Sequence, residues 1–210
     1  MELQNEQLTE EIRRISPRVK KLFYEGRREI LNECYRRVAV VGSRRISTRG
    51  RKITSEVVEY LVSKDWVIVS GLAYGVDQIA HQRCVDLNGL TIAVLGYGLE
   101  RQVGNVERVL RQKLIEGGGL ILSEYPELME GRQYTFPMRD RIVAGISELV
   151  LVVEAEERSG TMITASWAKK YGKKMLAVPG SAGADKLISL GEALPFSGGE
   201  DLKKYLQQQT

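Results

Sequence analysis

Residues 38–44 read Val-Ala-Val-Val-Gly-Ser-Arg, four apolar residues in a row closed by a glycine, a hydroxyl and a cation. An uninterrupted apolar run suits a strand covered on both faces, as the strands of parallel sheets are. The glycine at its end lets the backbone approach an anion closely, and the arginine after it can fork onto a phosphate. Further apolar runs follow at 66–69, 91–95, 120–122, 149–153 and 174–178. Between and after them lie helix-length segments at 49–63, 76–88, 105–116, 138–145, 161–171 and 184–193. This alternation predicts an α/β fold, a Rossmann-like, doubly wound and mostly parallel sheet with right-handed crossovers.

Ligands of such folds sit beyond the carboxyl ends of the strands. The turns there read Gly42-Ser43-Arg44, Ser70-Gly71-Leu72-Ala73-Tyr74-Gly75, Gly96-Tyr97-Gly98 and Ser123-Glu124-Tyr125-Pro126. The fifth run leads through Glu154-Ala155 to Ser159-Gly160-Thr161 at a helix start, and the sixth into Pro179-Gly180. Helix N-termini add free N–H groups and a partial positive charge. One glycine turn is commonly structural. Several on one edge of one sheet predict an anion-binding crevice long enough for more than one phosphate.

Upstream, Leu8, Ile12, Ile15, Val19, Leu22, Phe23 and Ile30 are spaced largely by three or four. That spacing predicts a helical N-terminal appendage over 1–35, broken or restarted at Pro17, with the Rossmann-like domain covering 36–210. Basic residues crowd the stretch from Arg13 to Lys52, opposed only by Glu25, Glu29 and Glu33. They form either a solvated helix face or a positive entrance to a polyanion site.

The 210 residues suffice for a self-sufficient core, and 43% hydrophobic with 28% charged residues is ordinary for a globular protein. Aromatic residues, at 7%, are too few for a base-stacking surface spread over the whole domain. Net charge is a mild +4. Cys34 and Cys84 are too few for a zinc site or a disulfide framework, and the charged start has no apolar signal-peptide core. With no apolar stretch long enough to span a membrane, a reduced, cytoplasmic protein is expected.

Standard nucleotide signatures are missing. There is no G-x-x-x-x-G-K-[ST] loop, and neither Gly42-Ser43-Arg44 nor the Gly71–Gly75 pair fits G-x-G-x-x-G, which argues against P-loop ATP hydrolysis and hydride transfer. His81 is the single histidine, and Asp77 lies one helical turn before it; the pair is read as holding the helix start and the glycine loop together. Ser70 and Ser123 lack a nucleophile elbow. Glu124 and Glu154 either act as bases or cap backbone amides. The residues favour binding over catalysis, with no metal and no cofactor. The candidate DNA- or phosphate-binding set is Gly42, Ser43, Arg44, Ser70, Gly71, Gly75, Gly96, Gly98, Phe136, Arg139, Arg141, Ser159, Gly160 and Thr161.

In order along the chain, several segments resemble the DprA/Smf family of DNA-processing proteins. They are Gly42-Ser43-Arg44, the run Ser70 to His81, Ala93 to Leu99, Asn105, Ser123 to Pro126, and Phe136-Pro137-Met138-Arg139-Asp140-Arg141-Ile142. Val152 to Ala155, Ser159-Gly160-Thr161, Ala177 to Gly180, and Leu187-Ile188 before Gly191 complete the series. The resemblance implies a homodimer that binds single-stranded DNA and helps load a RecA-type recombinase, as in natural transformation and recombination. It places Arg44 in a basic DNA pocket, with the Phe136–Arg141 stretch beside it. Phe136 or Tyr134 is then able to stack a base, or Phe136 serves instead as a core or turn anchor ahead of Pro137. The chain departs from the family at Asp140, where Asn is usual, at Val103-Gly104, and in a shorter loop after Gly180. The alternative is a Rossmann-like nucleotide carrier or a phosphoribosyl-type hydrolase, of whose glycine loop Ser159-Gly160-Thr161 is a partial echo.

Overall fold

A computed structural model describes residues 1–4 and 8–208. The run that opens the fold becomes β3 (Arg37–Val41), with Val38, Ala39 and Val40 wholly buried between two helical layers. Its sheet contains β1 (Glu2–Gln4), β2 (Lys21–Gly26), β4 (Val67–Ser70), β5 (Thr91–Leu95), β6 (Leu120–Ser123), β7 (Leu149–Val152), β8 (Lys174–Ala177) and β9 (Leu194–Pro195). The spatial order is β1-β2-β6-β5-β4-β3-β7-β8-β9. From β6 to β9 the ladders are parallel, while β2 runs antiparallel to β6 and β1 antiparallel to β2.

The helices are α1 (Glu10–Arg14), α2 (Thr48–Val62), α3 (Val76–Asp86), α4 (Asn105–Glu116), α5 (Thr135–Gly145), α6 (Gly160–Lys170), α7 (Ala182–Ser189) and α8 (Gly199–Gln207). Strand side chains alternate between two cores. Val38 and Val40 pack with Ile53, Val57 and Leu61 of α2, and with Leu202 of α8. Ala39 and Val41 share the opposite core with Ile142 and Val143 of α5, Ala165 of α6 and Leu187 of α7. Burying each large aliphatic side chain stabilises the fold by about 1.5–3 kcal/mol, so the apolar runs themselves set the sheet's place between the layers. The α/β, Rossmann-like expectation holds, and the six expected strands and helices lie within a few residues of those observed.

The N-terminal segment differs from its expected helix. Among its described residues only Glu10–Arg14 and a 3-10 turn at Arg28–Leu31 are helical, whereas β1 and β2 extend the sheet. The cause is tertiary. Without β2 the edge of β6 would be open, and the β-prone sequence Leu22-Phe23-Tyr24 covers it with Phe23 opposite Ser123 and Tyr24 opposite Leu122. α1 closes at Arg14, ahead of Pro17.

The chain leaves β3 toward β6 on one side and returns through α5 to β7 on the other. β3 therefore has β4 as one neighbour and β7 as the other, the topological switch point of the sheet. The loops beyond β3 and β7 diverge there and leave a crevice at the carboxyl edge.

Candidate nucleic-acid interface

A cleft of about 610 Å³ opens at this switch point. It is lined by Gly42, Ser43, Arg44 and Arg45 beyond β3, Gly71, Ala73 and Asp77 beyond β4, and Phe136, Pro137, Arg139, Asp140 and Val143 of α5. Glu156, Ser159, Gly160, Thr161, Ile163 and Thr164 close it from the β7–α6 side. Residues scattered over more than a hundred positions are thus gathered by the strand order alone.

Gly75 joins two of these loops. Its φ is +86°, and a Cβ there would lie 2.1 Å from the Ser43 carbonyl oxygen, so only glycine lets α3 begin against the turn after β3. The Val76 N–H donates to that carbonyl at 3.2 Å. Gly71 serves a second approach, because a Cβ there would meet the Arg139 guanidinium at 2.1 Å.

Arg44 and Arg45 are exposed and form no salt bridge among the described residues. The Arg44 guanidinium lies 5.7 Å from the centre of the Phe136 ring, which sets the cation over an aromatic face. Phe136 is in turn confined by Gly96 and Gly131, each of which would collide with its ring on gaining a Cβ, and it meets Tyr97 edge-on at 6.4 Å. On the far wall Ser159 caps α6, accepting from the Met162 N–H at 3.4 Å, and the first turn of that helix carries no acidic residue. Thr161 is 7% exposed and borders the cleft beside this helix start.

The cleft floor is polar and nearly sealed. Arg139 is buried; its Nε donates to Asp140 Oδ1 at 2.9 Å and its Nη1 donates to the carbonyls of Gly71 and Val94. Asp77 accepts from the Gly71 N–H at 3.1 Å and the Ala73 N–H at 3.3 Å, so the glycine loop is held from both sides. Burial pushes the Asp77 carboxyl up to about 6, against the pull of Arg139, and burial likewise raises Asp140. His81 lies apart from this floor: it bonds Thr91 Oγ1 at 2.7 Å, and burial and Arg139 lower it to about 3, leaving it neutral.

The structure divides the expected set. Gly42, Ser43, Arg44, Gly71, Phe136, Arg139, Ser159, Gly160 and Thr161 come together in the cleft. Ser70, Gly75, Gly96, Gly98 and Arg141 stand outside its lining. Ser70 donates to the Val40 carbonyl at 2.6 Å, and Gly98 packs on the backbone carbonyls of Pro126 and Glu127. Arg141 is 2% exposed, forks onto Glu124 and donates to the Pro17 and Met138 carbonyls, so its charge is neutralised inside the protein. Glu154 takes the Ser47 N–H at 3.0 Å and the Ser47 hydroxyl, a capping role at the start of α2. Arg45, Asp140 and Glu156 line the cleft without belonging to the expected set. Arg45 is legible from its place beside Arg44 and Asp140 from its place in the Phe136–Arg141 stretch, whereas Glu156 reaches the cleft only through packing. Of the upstream basic stretch, Arg37 is buried against Glu11, and Arg36 pairs with Glu148 and covers Trp66.

Among the described residues no helix is long and apolar enough to cross a membrane, and no three His, Cys, Asp or Glu side chains are grouped to hold a metal ion.

Comparison with known proteins agrees with this architecture. Residues 2–207 match the family model described as DNA recombination-mediator protein A. Protein Smf of Escherichia coli K12 is 41% identical over 162 residues, which are 77% of this chain and 43% of that protein. The DNA processing protein DprA of Streptococcus pneumoniae R6 is 39% identical over 190 residues, 88% of this chain and 66% of that one. The chain thus spans less than two thirds of the length of these curated relatives. The X-ray structure of S. pneumoniae DprA superposes with a TM-score of 0.87 at 34% identity, covering 97% of this chain and 73% of that chain. A Helicobacter pylori DprA structure, described for its single-stranded DNA binding mode, superposes at 0.89 and 27% identity, covering 100% and 96%. The molybdenum cofactor binding protein of Rippkaea orientalis, at 16% identity and a TM-score of 0.63 over 84% and 98%, shares the fold. With its ordered glycine turns, its switch-point cleft and a match over nearly its whole length, the chain belongs to the DNA recombination-mediator protein A family, that of the DprA and Smf DNA-processing proteins.

Proposed function

We propose that the switch-point cleft binds the backbone of single-stranded DNA, with Arg44 as its principal phosphate contact. One observation supports this reading: two exposed arginines that form no salt bridge among the described residues, the Ser159–Thr161 helix start and the Phe136 ring line the same opening. Guanidinium and helix N–H groups neutralise phosphate, and an aromatic ring beside them accepts a base without selecting its sequence. The H. pylori relative, similar over the full chain, is described as binding single-stranded DNA, which supports the reading. A phosphoribosyl-type hydrolase is less well supported, because Glu124 is held by Arg141 and Glu154 by Ser47. The likeness to molybdenum cofactor carriers extends to the fold alone.

We further infer that the protein acts as a homodimer, in the cytoplasm and without catalysis, and passes its strand to a RecA-type recombinase during transformation or recombination. Sedimentation velocity tests the dimer. The rate of recombinase filament growth on an oligonucleotide already bound by the protein tests the handover, and no acceleration refutes it.

The central test is fluorescence anisotropy of a labelled oligothymidylate across a salt series, with a mononucleotide and a duplex as competitors. Wild-type affinity falls as salt rises. Arg44→Ala weakens binding and flattens the log–log slope by about 0.7, one phosphate contact on a single strand. Salt-independent binding, or stronger competition by the mononucleotide than by the strand, refutes the reading.

A further inference from the structure

We propose that anion binding in the cleft is coupled to proton uptake by Asp140. The proposal rests on the cleft being a phosphate site and adds a residue that sets its affinity.

Asp140 is 7% exposed and borders the cleft from α5. Its neighbour Arg139, on the same helix, donates one N–H to it at 2.9 Å and commits another nitrogen to the two carbonyls of Gly71 and Val94. From α3, Asp77 brings a second buried carboxylate to the same guanidinium, whose charge acts on both. Arg44 faces Asp140 from the loop beyond β3, Thr164 of α6 offers it a hydroxyl, and Glu156 lies across the cleft beyond β7. One buried cation therefore serves two buried carboxylates before any ligand arrives.

A phosphate drawn in by Arg44 and the α6 start adds a third anion to this floor and competes for the Arg44 charge that now favours ionised Asp140. Like charges in a poorly solvated site cost more than in water, and taking up a proton removes the repulsion. Asp140 is better placed to do so than Asp77, whose carboxylate is held by two backbone N–H bonds. Burial already favours the neutral form of Asp140. The proton comes from solvent and forms an O–H bond on the Asp140 carboxyl; no other bond is made or broken. The neutral group keeps an oxygen for Arg139.

The experiment measures oligothymidylate affinity of the whole protein at fixed ionic strength between about pH 5.5 and 7.5, a window in which neither the phosphodiesters nor thymine titrates and His81 stays neutral. Asp77, near 6, titrates there too, so Asp77→Asn is measured alongside and is expected to keep the slope; its loss assigns the proton to Asp77 and overturns the proposal. Calorimetry in two buffers of different ionisation enthalpy counts the protons taken up by the wild type. The proposal expects wild-type affinity to rise about three- to tenfold toward the acidic end with net proton uptake, up to one proton per cleft. Asp140→Asn keeps an acceptor for Arg139, binds more tightly than wild type at the upper end and loses the slope. Matching slopes in wild type and variant, or no proton uptake by the wild type, overturn the coupling while salt-dependent binding leaves the phosphate site standing. Absence of binding at every pH and salt overturns the phosphate reading and the coupling with it.

Discussion

Arg44 and Arg141 lie on either side of a distinction that the sequence does not mark. Both sit in stretches that resemble the DprA/Smf family, yet one is exposed and forms no salt bridge among the described residues while the other is buried and forked onto Glu124. Spacing along the chain reveals that an arginine is present, not which neighbour will neutralise it. Arg44→Ala is therefore expected to leave unfolding in denaturant within about 0.5 kcal/mol of wild type. Arg141→Ala, which strands a half-buried carboxylate, is expected to cost about 3–5 kcal/mol in the same measurement. Asp77 adds a titration. Its folded value near 6 exceeds the ordinary 3.8, so the neutral acid is favoured in the folded state. This contribution to stability is complete below the ordinary value and is lost as pH rises through 6, a span on the order of 3 kcal/mol. Asp77→Asn is thus expected to gain stability relative to wild type between about pH 4 and 7, as followed by denaturant titration at each pH; a constant difference would show that the buried carboxylate does not titrate there.

At the level of the elements, uninterrupted apolar runs make β3 to β8 legible, and glycine turns mark where most of them end. Two-residue β9 and the strands β1 and β2 are hidden for different reasons. β9 is too short to carry a pattern, and Pro195 suits only an edge strand. β2 carries apolar side chains to both faces, with Leu22 and Tyr24 in one core, and its register is set by an open edge supplied about a hundred residues later. Leu22, fully buried in β2, gives this a test. If the N-terminal segment were a surface appendage, Leu22→Ala would be nearly neutral; as a sheet strand it costs about 2–5 kcal/mol in unfolding free energy.

For the molecule as a whole, the strand order makes the cleft. The turn after β3 and the helix start before α6 are separated by more than a hundred residues, and only the return of the chain through α5 sets β7 beside β3. The sequence points to the correct sheet edge, because every loop beyond a carboxyl end is a candidate. It does not separate the loops at the switch point from those beyond β5 and β6, where Gly98 serves packing. The pairing within the floor is equally hidden: Asp140 belongs to the stretch read beside the pocket, but that Asp77 of α3 shares the Arg139 guanidinium with it follows only from packing. Location is therefore the claim to test first, by hydrogen–deuterium exchange of the intact protein with and without saturating oligothymidylate. Slowed exchange is predicted at residues 42–45, 71–75 and 156–163, with the α3–α4 surface around Val106 unchanged; protection confined to that surface, or to the edge beyond β9, would contradict the account.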